Sequence, residues 1–331
     1  MRAIVVEKLG SPNDLLISDR STELPRAGEV VVDVVTAAVN FADLLVIEGK
    51  YQFRPPLPFI PGKEAAGAVV ALGDGVDGLV IGDRVMVQME HGAFAERIVT
   101  SAKNCFLIPD KMSFDEAAAI GIAYQTAYMA LVERAKIQVG ETVLVTAASG
   151  SVGIAAIQLA KAMKCTVIAG LETMSKAPFV NGNGADHIVD LSGNDLRNSI
   201  RNQVKNCLVG DVDVIIEMIG GEVFDGAVRT LGWCGRLVVV GFAGGVIPMF
   251  KTNYVLLKNI TVTGVDRFSY LTHNSAALQR AQAEIFRLFV DGRIHLTIQA
   301  KYSMEQVVDA FNVIRDRKVR GKVVLSMNNE K

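Results

Sequence analysis

The chain has 331 residues, half of them apolar and 21% charged, a composition that excludes a disordered polypeptide and leaves room for two domains with sizeable cores. Its 34 basic and 35 acidic side chains nearly cancel, so charge makes no case for nucleic acid as the main partner or for an anionic membrane surface. The opening residues, MRAIVVEKLG, read as a strand without a secretory signal, and the expected compartment is the cytoplasm.

Residues 1–110 read as β-rich. Arg2–Glu7 and Glu29–Val35 alternate or run apolar, with glycine and proline between them. Asn40–Tyr51 predicts a short helix and a turn. The proline-rich stretch 54–61 cannot be a central strand. Further strands are expected over Ala68–Leu72, from Gly82 onward and over Gly92–Ile98, and short strands with glycine turns predict a small barrel. Ser113 and Glu116 have capping-box spacing and open a helix through Ala117–Ala119, with a second helix predicted over Thr126–Arg134.

From residue 142 the pattern changes. Thr142–Val145 reads as a buried parallel strand, the small residues 147–153 as a tight turn, Ile154–Met163 as a helix and Thr166–Ala169 as a second strand. In such a βαβ unit the backbone N–H groups at the helix start point at a pyrophosphate, where the helix dipole favours negative charge. The fingerprint G-x-G-x-x-G stands here as Ala148-x-Gly150-x-x-Gly153, with Ser151 and Val152 inside it. Its first glycine is missing, and the strand before and helix after supply the context that the motif alone lacks. Thr142–Ala160 carries no charge, but its Ser149-Gly150-Ser151 punctuation argues against a membrane span. Strands at 185–190, 212–217, 236–240 and 260–263 complete a doubly wound parallel sheet. Helices over 276–291 and 304–317 and strands near 296–300 and over Lys322–Ser326 follow. The fold class is therefore α/β: a β-rich domain of residues 1–124 and 266–331, with a dinucleotide-binding domain, 125–265, inserted in it.

Cys105, Cys165, Cys207 and Cys234 form no C-x-x-C pair and read as reduced, buried thiols. His91, His187, His273 and His295 are equally scattered, and no metal-ligand spacing appears.

The motifs Asn40-Phe-x-Asp43 with Gly49-x-Tyr51, Pro61-Gly-Lys-Glu-Ala-Ala-Gly67, Gly82-Asp-Arg-Val85, Gly92-Ala-Phe-Ala-Glu96, Ala147-Ala-Ser-Gly-Ser-Val-Gly153, Gly184-Ala-Asp186, Val239-Val-Gly-Phe-Ala243 and Gly321-Lys-Val-Val324 span nearly the whole chain. Their order and content resemble the medium-chain dehydrogenase/reductase superfamily, in its zinc-independent quinone oxidoreductase (zeta-crystallin-like) branch. The resemblance implies a GroES-like catalytic domain around an inserted Rossmann domain. Zinc members of the superfamily carry Gly-His-Glu where this chain has Gly62-Lys63-Glu64, and their early cysteine ligand and four-cysteine loop are absent. Zinc needs three or four N, S or O ligands, so no catalytic zinc is expected.

NAD enzymes place an acid at the end of the second strand, for the ribose 2′-OH. Here that place is Ala169-Gly170, which leaves room for a 2′-phosphate, and Lys176 can neutralise one. The resemblance implies NADPH, with Lys176 and Arg317 on the phosphate, although the family's tyrosine aligns with Leu191 and Glu172 lies nearby. It also places Asn40, Tyr51 and Thr126 along the nicotinamide cleft, with Gly241, Phe242 and Ala243 at the fifth strand's end. Tyr51, or water, is the candidate proton donor, and Asn40 positions ribose or substrate or takes part in the chemistry. Asp43 and Glu64 read as structural, and Lys63 as a surface lysine. The expected reaction is hydride transfer from NADPH, held in the cleft between the domains, to a quinone or α,β-unsaturated carbonyl. The alternatives are an enoyl-thioester reductase of the same superfamily and a non-enzymatic crystallin-like or RNA-binding protein. The resemblance further implies a homodimer or a pair of dimers.

Overall fold

The computed structural model describes residues 1–327. The chain divides into two compact units, one of residues 1–122 with 296–327 and one of residues 123–295.

The first unit is built on a seven-stranded sheet. Its path runs Ile298–Ser303, Lys322–Ser326, Glu29–Val39, Glu64–Leu72, Arg84–Gln88 and Cys105–Leu107, with Arg97–Ser101 also paired to Glu29–Val39. Glu29–Val39 is the spine, because it pairs antiparallel with three other strands. Its run of valines and alanines is buried, which is why it extends beyond the expected end at Val35. The strand expected over Gly92–Ile98 forms later, over Arg97–Ser101. A single apolar core holds this unit, from Ile4 and Val32 to Phe94, Phe311 and Val323. The Ser113 capping box is present: Ser113 N and Oγ donate to Glu116 Oε2 at 2.9 and 2.8 Å. The helix it opens runs over Phe114–Tyr128 and continues as a wider turn over Met129–Arg134, so the two predicted helices are one run.

The second unit carries six parallel strands in the order His187–Asp190, Thr166–Leu171, Thr142–Val145, Val212–Glu217, Leu231–Val239, Thr261–Gly264. In chain order this is 3-2-1-4-5-6, the doubly wound arrangement expected of the βαβ pattern. The helix Ser151–Ala162 is apolar nearly all round and is buried from Gly153 through Ala160. Tyr124 and His295, near the two ends of this unit, meet: the tyrosine hydroxyl has two acceptors within reach for its one proton, the His295 carbonyl at 3.0 Å and Gln158 Oε1 at 2.9 Å. The helix Ser275–Val290 belongs to this unit, so the compact boundary falls later than residue 265. An apolar cluster of Met129, Ala277, Leu278 and Ala281 holds it there, together with a buried polar relay. Arg267 Nε donates to Gln125 Oε1 at 2.7 Å, and Gln125 Nε2 donates to Gln282 Oε1 at 2.9 Å.

The thiols correct one expectation. Cys105 and Cys165 are buried, whereas Cys207 is half-buried and Cys234 exposed. Among the described residues no helix is long and apolar enough to cross a membrane.

Candidate active site

The second unit presents a turn made almost wholly of backbone. After Thr142–Val145 the chain reverses through Ala147, which adopts a left-handed φ of 48°. Gly150 N donates to Ala147 O at 3.0 Å and closes the turn, while Ala148 N donates to Gly170 O at 3.2 Å and ties it to the neighbouring strand. Gly150 is the extended residue before the helix, and Ser151, Val152 and Gly153 form the helix's first turn. The two glycines differ. A Cβ on Gly153 would lie 2.4 Å from Ala147 O and 2.7 Å from Ala148 Cα, so only glycine lets the helix approach. A Cβ on Gly150 would meet only Ala147 O, at 3.4 Å. The geometry suits a pyrophosphate, because a helix start directly against the turn offers N–H groups and the positive dipole end.

The strand ends beside this turn carry the other nucleotide-unit candidates. Gly170 is buried, and a Cβ there would press on Leu191 at 2.8 Å, so its missing side chain makes room for Leu191. Lys176 ends the short turn Met174–Lys176 and is half-buried. Gly241 has open space around it, Phe242 is 38% exposed, and Ala243 N donates to Met218 O at 2.9 Å. Glu217, fully buried at the end of a central strand, accepts from Ile219 N and Gly220 N, both at 2.9 Å. Burial raises its pKa against these bonds. Thr126 lies half-buried on the long helix.

The first unit gathers its polar groups differently. Glu64 is fully buried; its Oε1 accepts from Lys322 Nζ at 2.6 Å and Asn40 Nδ2 at 3.1 Å, and its Oε2 from Ile122 N at 2.6 Å. Asn40 precedes the helix Phe41–Ile47, and its backbone N–H donates to Asp43 Oδ2 at 2.9 Å. Its side-chain oxygen accepts from Lys322 at 2.6 Å, so the amide is committed to this network on both sides. Asp43 is buried, which pushes its carboxyl up to about 6, with Lys63 and Lys322 opposing the rise. Lys63 corrects the expectation of a surface lysine. It is fully buried, donates to Glu90 O at 2.9 Å and Glu90 Oε2 at 3.0 Å, and holds its ammonium 4.7 Å from the centroid of the Tyr51 ring. A buried cation persists only where such acceptors replace its water. Arg317, exposed and in a left-handed conformation (φ 54°), lies in the turn after Val307–Arg315.

The candidates thus fall into two sets. Asn40, Tyr51 and Arg317 lie in the first unit, and Thr126, Gly150–Gly153, Gly170, Lys176 and Gly241–Ala243 in the second. Within the second unit, Ala148 N joins the turn to Gly170. Two groups were not legible as partners, Lys322 beside Glu64 and Glu90 beside Lys63, since each pair is distant in the chain. A lysyl ammonium has no lone pair for a metal, and among the described residues no group of three or more His, Cys, Asp and Glu is placed to hold one. The donor set does not suit zinc.

Comparison with known proteins agrees with this architecture. Residues 26–110 match the alcohol dehydrogenase GroES-like domain and residues 151–283 the zinc-binding dehydrogenase family. The chain belongs to the medium-chain dehydrogenase/reductase superfamily of oxidoreductases. Quinone oxidoreductase-like relatives and structural neighbours place it in the quinone oxidoreductase branch. Quinone oxidoreductase-like protein 2 of Mus musculus is 40% identical over 300 residues, 90% of this chain and 85% of that protein. A mycobacterial structure complexed with NADPH superposes with a TM-score of 0.91 at 28% identity, covering 98% of this chain and all of that one. Escherichia coli quinone oxidoreductase complexed with NADPH gives 0.88 at 26%, covering 98% and 100%.

Proposed function

We propose that this oxidoreductase uses NADPH to reduce a quinone or an α,β-unsaturated carbonyl compound. The reading rests most on the Gly150–Gly153 turn, where the place a Cβ on Gly153 would fill is taken by turn backbone and the helix start is left to an anion. The two structural neighbours solved with NADPH support it. When bound, NADPH supplies the hydride. The turn's N–H groups hold the pyrophosphate, and Lys176 adds the positive charge that a 2′-phosphate requires. Tyr51 donates the proton that accompanies the hydride, so a quinone leaves as hydroquinone and an enone as the saturated ketone. The Lys63 ammonium over the Tyr51 ring stabilises the negative charge left by that donation. Asn40, Asp43, Glu64 and Lys322 hold the helix and strand that flank it.

The test is NADPH oxidation against a panel of quinones, enones and crotonyl-CoA. Turnover with quinones or enones is expected; none with either class at saturating cofactor overturns the proposal, and a preference for crotonyl-CoA replaces it with enoyl-thioester reduction. Lys176→Ala is expected to raise the KM for NADPH by about tenfold while leaving that for NADH unchanged.

A further inference from the structure

A second concave site lies in the nucleotide unit, at the opposite end of the parallel strands from the glycine turn. Here the strands Val212–Glu217 and Leu231–Val239 begin, whereas the turn follows the end of Thr142–Val145. The cavity, about 290 Å³, is lined by residues from the helix Leu196–Asn206, the segment 229–233 and the end of Asn253–Lys258.

Its charge is unbalanced. Arg201, Lys205, Arg229 and Lys258 face Asp211 alone among the acids lining it. None of the four cations has a salt-bridge partner among the described residues. Lys258 donates to the carbonyls of Arg229 and Leu231 at 3.0 and 2.5 Å, and Arg229 to Arg197 O and Asn198 Oδ1 at 3.2 and 3.1 Å, so both are fixed by neutral acceptors. Burial holds the Lys258 pKa below its ordinary value; Arg201 and Arg229 depress it further, against Asp211. Like charges gathered in a hollow cost energy that an anion relieves.

The rim is strained. Leu231 pairs with Val212, but the next paired residue, Arg236, stands opposite Val214, so residues 232–235 bulge from the sheet. Within the bulge Cys234 takes a left-handed φ of 60°, and Trp233, the only tryptophan in the chain, stands 71% exposed at the cavity. A large aromatic held in water by a strained bulge beside uncompensated cations is a costly arrangement for a merely structural element.

We propose that this cavity binds a small phosphate-bearing aromatic of nucleoside monophosphate size. Arg201, Lys205 and the fixed cations Arg229 and Lys258 engage the phosphate, and Trp233 stacks on the ring. A dianionic phosphate answers the excess of positive charge better than a carboxylate, and the indole face takes any base. The volume suits a mononucleotide better than a dinucleotide. The site is separate from the proposed reaction and does not depend on it.

The sole tryptophan gives a local readout. With no NADPH present, Trp233 fluorescence is excited at the red edge of indole absorption while adenosine 5′-monophosphate is titrated. The expected result is a saturable change, weakened by added salt, and about tenfold weaker with adenosine. The variant R201S/K205S, altered at two exposed positions, should keep the wild-type urea midpoint and its NADPH oxidation rates while binding the monophosphate about tenfold or more weakly. No saturable change, equal binding of adenosine, or an unaltered R201S/K205S would overturn the assignment.

Discussion

The two units solve the same problem, presenting polar groups from an apolar interior, in opposite ways. The nucleotide unit uses main chain: a strand end, a left-handed Ala147 and a glycine that admits a helix. The β-rich unit uses side chains, with Lys63, Glu64, Lys322 and Asp43 all sealed from solvent and compensating one another. Backbone groups are satisfied by the fold as it forms. Buried charges must each find a partner, and removing one leaves the other exposed to a medium that cannot solvate it. The first arrangement is therefore sensitive to added bulk, and the second to lost charge.

The largest effect should follow from breaking the buried pair. Glu64→Ala leaves Lys322 with the neutral Asn40 Oδ1 but no counter-charge and strands the Ile122 N–H, and is expected to cost about 3–5 kcal/mol of unfolding free energy in urea. The double variant Glu64→Leu with Lys322→Met should recover most of that loss; if it does not, the pair is more than mutual compensation. Next is the pH dependence of Asp43. Its carboxyl ordinarily titrates near 3.8 and is raised to about 6 by burial, so the unfolded chain loses this proton first. Stability from this group is therefore present at low pH and lost as pH rises through about 4 to 6. Relative to the wild type, Asp43→Asn should gain on the order of 3 kcal/mol between about pH 4 and pH 7, read from urea midpoints at each pH. A flat difference would mean that Asp43 titrates as it does in water. The smallest loss belongs to the backbone site. Gly153→Ala should cost about 1–3 kcal/mol and weaken NADPH binding, because its methyl meets turn backbone, while Gly150→Ala stays near wild type in stability. Equal tolerance at both glycines would break the contrast between them.

The same difference explains what the sequence made legible. The glycine spacing of 148–153 and the strand–helix alternation after it are local patterns, and the doubly wound sheet followed from them. The capping box at Ser113 was equally local. Lys63 was misread because its neighbours Glu90 and the Tyr51 ring come from other elements, and a lone lysine in a glycine-rich segment ordinarily faces water. The role of Gly170 was half visible: its small size was evident, but not that Leu191 would occupy the space it leaves. The place of helix Ser275–Val290 depends on distant partners, the Arg267–Gln125–Gln282 relay and an apolar cluster with Met129, and local spacing shows neither.

The discontinuity of the β-rich unit bears on its synthesis. Lys322–Ser326 pairs with the spine strand Glu29–Val39, nearly three hundred positions earlier in translation. Residues 123–295 are contiguous, and they can fold on the ribosome while that spine still lacks one neighbour. The sheet holding the sealed lysines is thus completed after that contiguous unit has been made, and Lys322 meets Glu64 only then.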